Sequence, residues 1–173
     1  LRSLGERCIV GFGSSGGPPM LNVLYNNNYQ IVQSPGYVMI MVEMNHDARI
    51  IRLNSEFNPD SMRRWLGDSV GHWEGNTLVV KTKNHHPQQK FRAAIRHQIL
   101  ISEGAEITER FTRVANNEIL YQFEVNDEEA YKDVWKGEMP LRASQEKIYE
   151  YACHEGNYAM ANILAGARAE EEN

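Results

Sequence analysis

Residues 67–80, GDSVGHWEGNTLVV, hold Asp68, His72 and Glu74 at even spacing, which puts two carboxylates and an imidazole on one side of an extended chain. A hairpin needs none of these groups for its own geometry, and a histidine beside a carboxylate can do general acid–base work. His72 and Glu74 are therefore catalytic candidates. Arg49 and Glu109 are the interior candidates, because alternation sets each among aliphatic or aromatic neighbours, where an unpaired charge is costly. They must pair with a partner or meet a polar ligand. The functional reading makes Arg49 an anion anchor and Glu109 an acid–base carboxylate inside a cavity; the structural reading is a buried salt bridge. Asp47, His154 and Glu155 join His72 and Glu74 near predicted strand ends, where barrels place their mouths, although hairpin capping and solvation account for such residues equally well. Tyr121, Phe123 and Trp135, with Tyr149 and Tyr151, suit a core or a cavity lining better than a nucleic-acid stacking platform.

Other chemistries find less support. There is no GxSxG elbow, and Cys153 and His154, adjacent on one strand, point to opposite faces. His46, His72, His85, His86, His97 and His154 show no HxH or HExxH spacing, so no metal ligand is assigned. The glycines of GFGSSGGPP, residues 11–19, lack the strand, helix and Lys-Ser/Thr of a phosphate loop. No cofactor is implied.

The elements that must position these groups are strands. Period-2 patterning predicts strands at 29–33, 37–43 and 48–53, with turns at Ser34-Pro35-Gly36 and Asn45-His46. Pairing Glu43 with Ala48 collects Val38, Ile40 and Val42 with Arg49, Ile51 and Leu53 on the core face. The opposite face, with Met39, Met41 and Ile50, is also apolar and asks for a cover. Residues 59–66 read as one or two helical turns. A hairpin at 69–74 and 77–82 turns at Gly75-Asn76, a pair suited to positive φ. The polar stretch from Asn84 to Arg96 is left unassigned. Strands 105–114 and 118–126 follow, and a three-residue loop aligns Ile107, Glu109, Phe111 and Arg113 with Ile119, Tyr121, Phe123 and Val125, with a left-handed Asn in the turn. Strands at 132–139 and 146–153, then a helix capped by Asn157 and running to Arg168, complete the chain. Consecutive antiparallel strands with one helix predict an all-β, up-and-down, lipocalin-like barrel of eight or nine strands, with a β-sandwich as the alternative. The expected organisation is one domain: an extended segment 1–28, a barrel 29–153 and a C-terminal helix 157–169.

The chain has 173 residues, a length that buries a single core without metals or many disulfides. Its net charge of −5 and scattered basic residues argue against a nucleic-acid surface. No apolar run approaches the roughly 20 residues of a membrane span. A start at Leu1 suggests a processed product. Cys8 and Cys153 lack metal-type neighbours, and the residues alone leave a disulfide and two buried thiols both open.

GDSVGHWEGNTLVV (67–80), ERFTRV (109–114), YACHEGNY (151–158) and YNNNYQIVQSPGYVMIMVEMNHDARIIRL (25–53) together resemble a large family of uncharacterised, usually exported bacterial proteins. The resemblance implies a periplasmic or secreted location and favours a Cys8–Cys153 disulfide, since oxidising compartments permit one. It implies no activity. The chain departs from the family pattern at 84–103, where His85-His86 stand in a longer connection. The leading expectation is a barrel that binds a small, partly apolar molecule, oriented by Arg49 and the polar residues of its mouth. A cofactor-independent lyase or isomerase using Glu109, or the His72/Glu74 pair, is the alternative. A third is an assembly protein that self-associates through the 37–43 strand face or the C-terminal helix.

Overall fold

A computed structural model describes residues 2–94, 97–154 and 158–171. Ten strands form: β1 (Tyr29–Ser34), β2 (Tyr37–Val42), β3 (Ala48–Leu53), β4 (Asp68–Glu74), β5 (Thr77–Lys83), β6 (Phe91–Ala94), β7 (His97–Leu100), β8 (Glu106–Ala115), β9 (Glu118–Asn126) and β10 (Trp135–Arg142). Eight of them make one curled sheet in the order β1-β2-β3-β4-β5-β8-β9-β10, and β6 and β7 pair separately. The fold is all-β, as the alternation predicts, with one α-helix among the described residues, α1 (Ala159–Glu171). The sheet is a half-barrel, because β1 and β10 remain edges that do not pair with each other.

Alternation carries through every strand of the sheet. Tyr29, Ile31, Val38, Ile40, Arg49, Ile51, Leu78, Val80, Ile107, Glu109, Phe111, Tyr121, Phe123 and Val125 all come to the concave side by register. The β2–β3 register is Met41↔Ala48 and Ile40↔Arg49, two residues from the expected pairing, since Met44–His46 form a 3-10 turn with Asn45 and His46 at positive φ. A slip of two keeps every side chain on its face. The β4–β5 hairpin pairs Glu74 with Thr77 as expected, and Gly75 takes a φ of 59°. Between β8 and β9 the expected alignment holds, but by another device: a bulge at Val114 absorbs the extra residue, and neither Asn116 nor Asn117 is left-handed.

Four expectations need correction. β3 and β4 run parallel, so the sheet is not a plain up-and-down meander; Asp68 fixes the 54–67 crossover by accepting from Arg52, the Asn58 amide N–H and Asn58 Nδ2. Residues 59–66 form turns and a bridge at Arg64 rather than a helix, their polar groups being spent on neighbours such as Asn84 and His85. The strand expected at 132–139 begins at Trp135 and ends at Arg142. Residues 146–153 form no strand, having no ladder partner on either side. Helix α1 is present and exposes Met160, Ile163 and Leu164; its expected cap, Asn157, lies outside the described residues.

The two ends of the half-barrel differ. The turns at 35–36, 75–76 and 116–117 gather at one, the hairpin end. The other end is plugged by residues 10–20, whose Ser14, Ser15 and Met20 are fully buried, and by Ile99 and Ile101. Ser14 N donates to Ala93 O at 2.8 Å, and Met20 N donates to Tyr121 Oη at 2.8 Å. A Gly-Pro-Pro segment that reads as a loop is thus part of the core. Cys8 and Cys153 form a disulfide across a Cα–Cα distance of 6.0 Å, which ties this plug to the chain beyond β10. Among the described residues no helix is long and apolar enough to cross a membrane.

Candidate functional site

The concave face meets solvent in a cleft of about 1140 Å³ at the hairpin end, between the free edges β1 and β10. Its floor is apolar: Ile31, Val38, Leu78, Phe111, Ile119 and Leu141. Its rim is rich in amides, with Asn22, Asn76, Asn116 and Asn117 among them, and Trp73 projects there with 45% of its surface exposed. Tyr29 also lines the cleft, and its hydroxyl is buried without a hydrogen-bond partner. Burial pushes the Tyr29 pKa upward, with Arg49 opposing and Glu109 adding to the rise. Its O–H therefore stays intact and can donate or accept.

Behind Tyr29, in the middle of the half-barrel, sits a closed polar clamp. Arg49 Nη1 and Nη2 donate to Glu109 Oε2 and Oε1 at 2.5 and 3.0 Å, and Tyr121 Oη donates to Glu109 Oε1 at 2.8 Å. All three side chains are essentially inaccessible. Burial disfavours the Arg49 charge, yet the adjacent carboxylate more than offsets it and leaves the Arg49 pKa raised. Tyr121 is held well above its ordinary value by burial first and then by Glu109. The alternation argument that Arg49 and Glu109 need partners is met by each other, across sixty positions of sequence.

The remaining sequence candidates are dispersed. His72 and Glu74 lie on the convex face, about half exposed, with His72 Nε2 3.1 Å from Glu74 Oε1 and Arg110 Nη2 2.7 Å from Glu74 Oε2. The Arg110 bond, then His72, draws the Glu74 pKa down. They are a surface network on the face of the sheet opposite the cleft. Phe123 and Trp135 stack edge to face at 5.2 Å in the core and do not line the cleft, and Tyr121 belongs to the clamp. His154 lies at the disulfide, with Nδ1 3.7 Å from Cys8 Sγ. Asp47 faces a second cleft at the plugged end. Glu155 lies outside the described residues. Among the described residues no group of three or more His, Cys, Asp or Glu is placed to hold a metal ion.

Sequence reasoning missed Tyr29 and Arg92, and weighed His85 only as a metal ligand. Tyr29 had a signal, since it shares the inward parity of Ile31. Arg92 and His85 fall in the 84–103 stretch, whose pattern defines no period. The chain matches no protein-family model, no curated protein and no solved structure.

Proposed function

We propose that this protein binds a small, partly apolar molecule in the cleft at the hairpin end of the half-barrel, and that it does so outside the cytoplasm. The observation that carries this reading is an open apolar cleft of about 1140 Å³ in the concave face of the sheet, with an unpartnered Tyr29 hydroxyl at its inner wall. A ligand site is concave and joins apolar walls to placed polar groups, and this cleft has an apolar floor under a polar and charged rim. Tyr29 takes the orienting role expected of Arg49, whose Nη groups are already committed to Glu109. Hydroxylated aromatic or terpenoid molecules fit this combination: rings against Phe111 and Ile119, a hydroxyl on Tyr29. The disulfide supports an oxidising compartment.

Acid–base catalysis at Glu109 has less support, because both carboxylate oxygens are engaged and the side chain has no exposed surface. A proton acceptor must come within hydrogen-bond reach of its substrate.

Calorimetric titration of hydroxylated aromatic and terpenoid compounds tests the proposal. Saturable one-site binding to wild type is expected, weakened at least tenfold in Ile119→Arg, which sets a charge on the cleft floor. Binding of equal strength in that variant, or none to wild type across the panel, refutes it.

A further inference from the structure

Arg92 leaves an unpaired positive charge in the interior, beside the plug. Arg49, Arg92 and Glu109 are all buried to within 2% of complete, and Glu109 spends both oxygens on Arg49 and Tyr121. Arg92 has no carboxylate in ion-pair reach among the described residues. Its Nη1 donates to Pro18 O and its Nε to Gln89 O, while Nη2 finds no acceptor. Burial, with Arg49 adding to it, lowers the Arg92 pKa to about 10, so the guanidinium is charged at neutral pH. Arg49 Nε and both ring nitrogens of His85 are likewise buried without partners. A native interior rarely leaves so many polar groups unmatched in one region, and an uncompensated buried charge costs several kcal/mol.

A cleft opens on one side of this cluster. This second cleft, of about 430 Å³, is lined by Arg49, Arg63, Arg64, Trp65, Asp47 and Gly67. Gly67 backs onto the His85 ring so closely that a Cβ there would lie 2.9 Å from Cε1 and Nδ1. Arg63 is shared between Glu103, at 3.5 Å, and the carbonyls of His85 and Glu103. Arg64 lies at the same wall, exposed, and its guanidinium has no acceptor among the described residues. Among the described residues Asp47 is the one carboxylate that lines the cleft. Its oxygens accept from Gly11 N at 2.7 Å and Asn45 Nδ2 at 3.2 Å, and burial raises its pKa.

The geometry points to an anion site in this second cleft, where the guanidinium groups of Arg64 and Arg63 hold a small oxyanion, a carboxylate or phosphate, and the buried positive charge of Arg92 adds its attraction from the interior. Guanidinium groups suit such anions because their planar N–H forks match the oxygen spacing. The site is separate from the apolar cleft and does not depend on it.

Thermal unfolding of the full chain, with sodium phosphate or sodium acetate titrated at constant ionic strength against sodium chloride, tests this inference and separates the two sources. A saturable rise in Tm with one oxyanion is expected. Arg64→Gln should leave the Tm without oxyanion unchanged and weaken the apparent affinity at least tenfold, whereas Lys136→Gln, on the far surface, should not alter the response. A rise that tracks ionic strength for every salt, or one identical in Arg64→Gln, overturns the proposal.

Discussion

Glu109→Gln is the most informative single change, because it keeps the shape of the clamp and removes the one carboxylate facing Arg49. Arg49 would then lack a counter-charge, as Arg92 already does. Breaking a buried ion pair by removing one partner costs about 3–5 kcal/mol, about a fifth or more of the roughly 5–15 kcal/mol that holds a domain together. At about 2–4 °C per kcal/mol for a chain of this length, the Tm should fall by about 6–20 °C. The double variant Arg49→Met/Glu109→Leu removes both charges. It should recover part of that loss, about half at mid-range, the remainder being the roughly 1–3 kcal/mol for a Tyr121 hydroxyl left without its acceptor. Urea denaturation followed by circular dichroism measures both, with the midpoint shifting at constant m. A single variant that loses less than about 1 kcal/mol, or a double variant as unstable as the single, refutes the claim that the pair is a mutually dependent clamp.

Three further outcomes follow from the packing. His85 is held neutral well below its ordinary pKa, by burial first and then by Arg92, Arg49 and Arg63, so the unfolded chain alone takes up its proton below about pH 6.5. Stability should therefore fall as pH falls through that range, by up to about 1.4 kcal/mol per pH unit from this site, and His85→Leu should flatten the slope in pH-dependent urea melts. Removing the disulfide with Cys8→Ser/Cys153→Ser frees a loop of 145 residues, and chain entropy sets an upper bound of about 5 kcal/mol on the loss, read as a fall in urea midpoint. Gly137 lies under the Phe123 ring, where a Cβ would approach the ring to 2.5–2.9 Å; Gly137→Ala should cost about 1–3 kcal/mol by displacing that ring, visible as a changed near-ultraviolet dichroism signal.

The facing of side chains was readable from the chain, while the partners of its elements were not. Alternation in β2, β3, β8 and β9 sets which residues point inward, and it placed Arg49 and Glu109 in the interior before any contact was known. It survives a register shift of two, which is why the β2–β3 pairing could differ without moving a side chain to the wrong face. What a strand pairs with depends on distant chain. Residues 146–153 have a strand-like pattern and no ladder, and β4 joins β3 in parallel through a crossover stapled by Asp68 and Asn58. The buried plug at 10–20 was unreadable because its burial comes from β6, β9 and the mouth it fills, with Ala93 O and Tyr121 Oη as its partners. For the same reason Arg92 and His85, satisfied or orphaned only by that plug and its neighbours, gave no periodic signal.

Isoleucine methyl resonances test the ligand cleft most directly. Ile31, Ile40 and Ile119 line it, whereas Ile99 and Ile101 pack beneath it in the plugged core. During titration with a hydroxylated aromatic or terpenoid ligand that binds, the first three methyl signals should shift and saturate together while the last two stay in place. Saturable shifts confined to Ile99 and Ile101, or spread evenly over all five, would contradict a ligand seated on the concave face at the hairpin end.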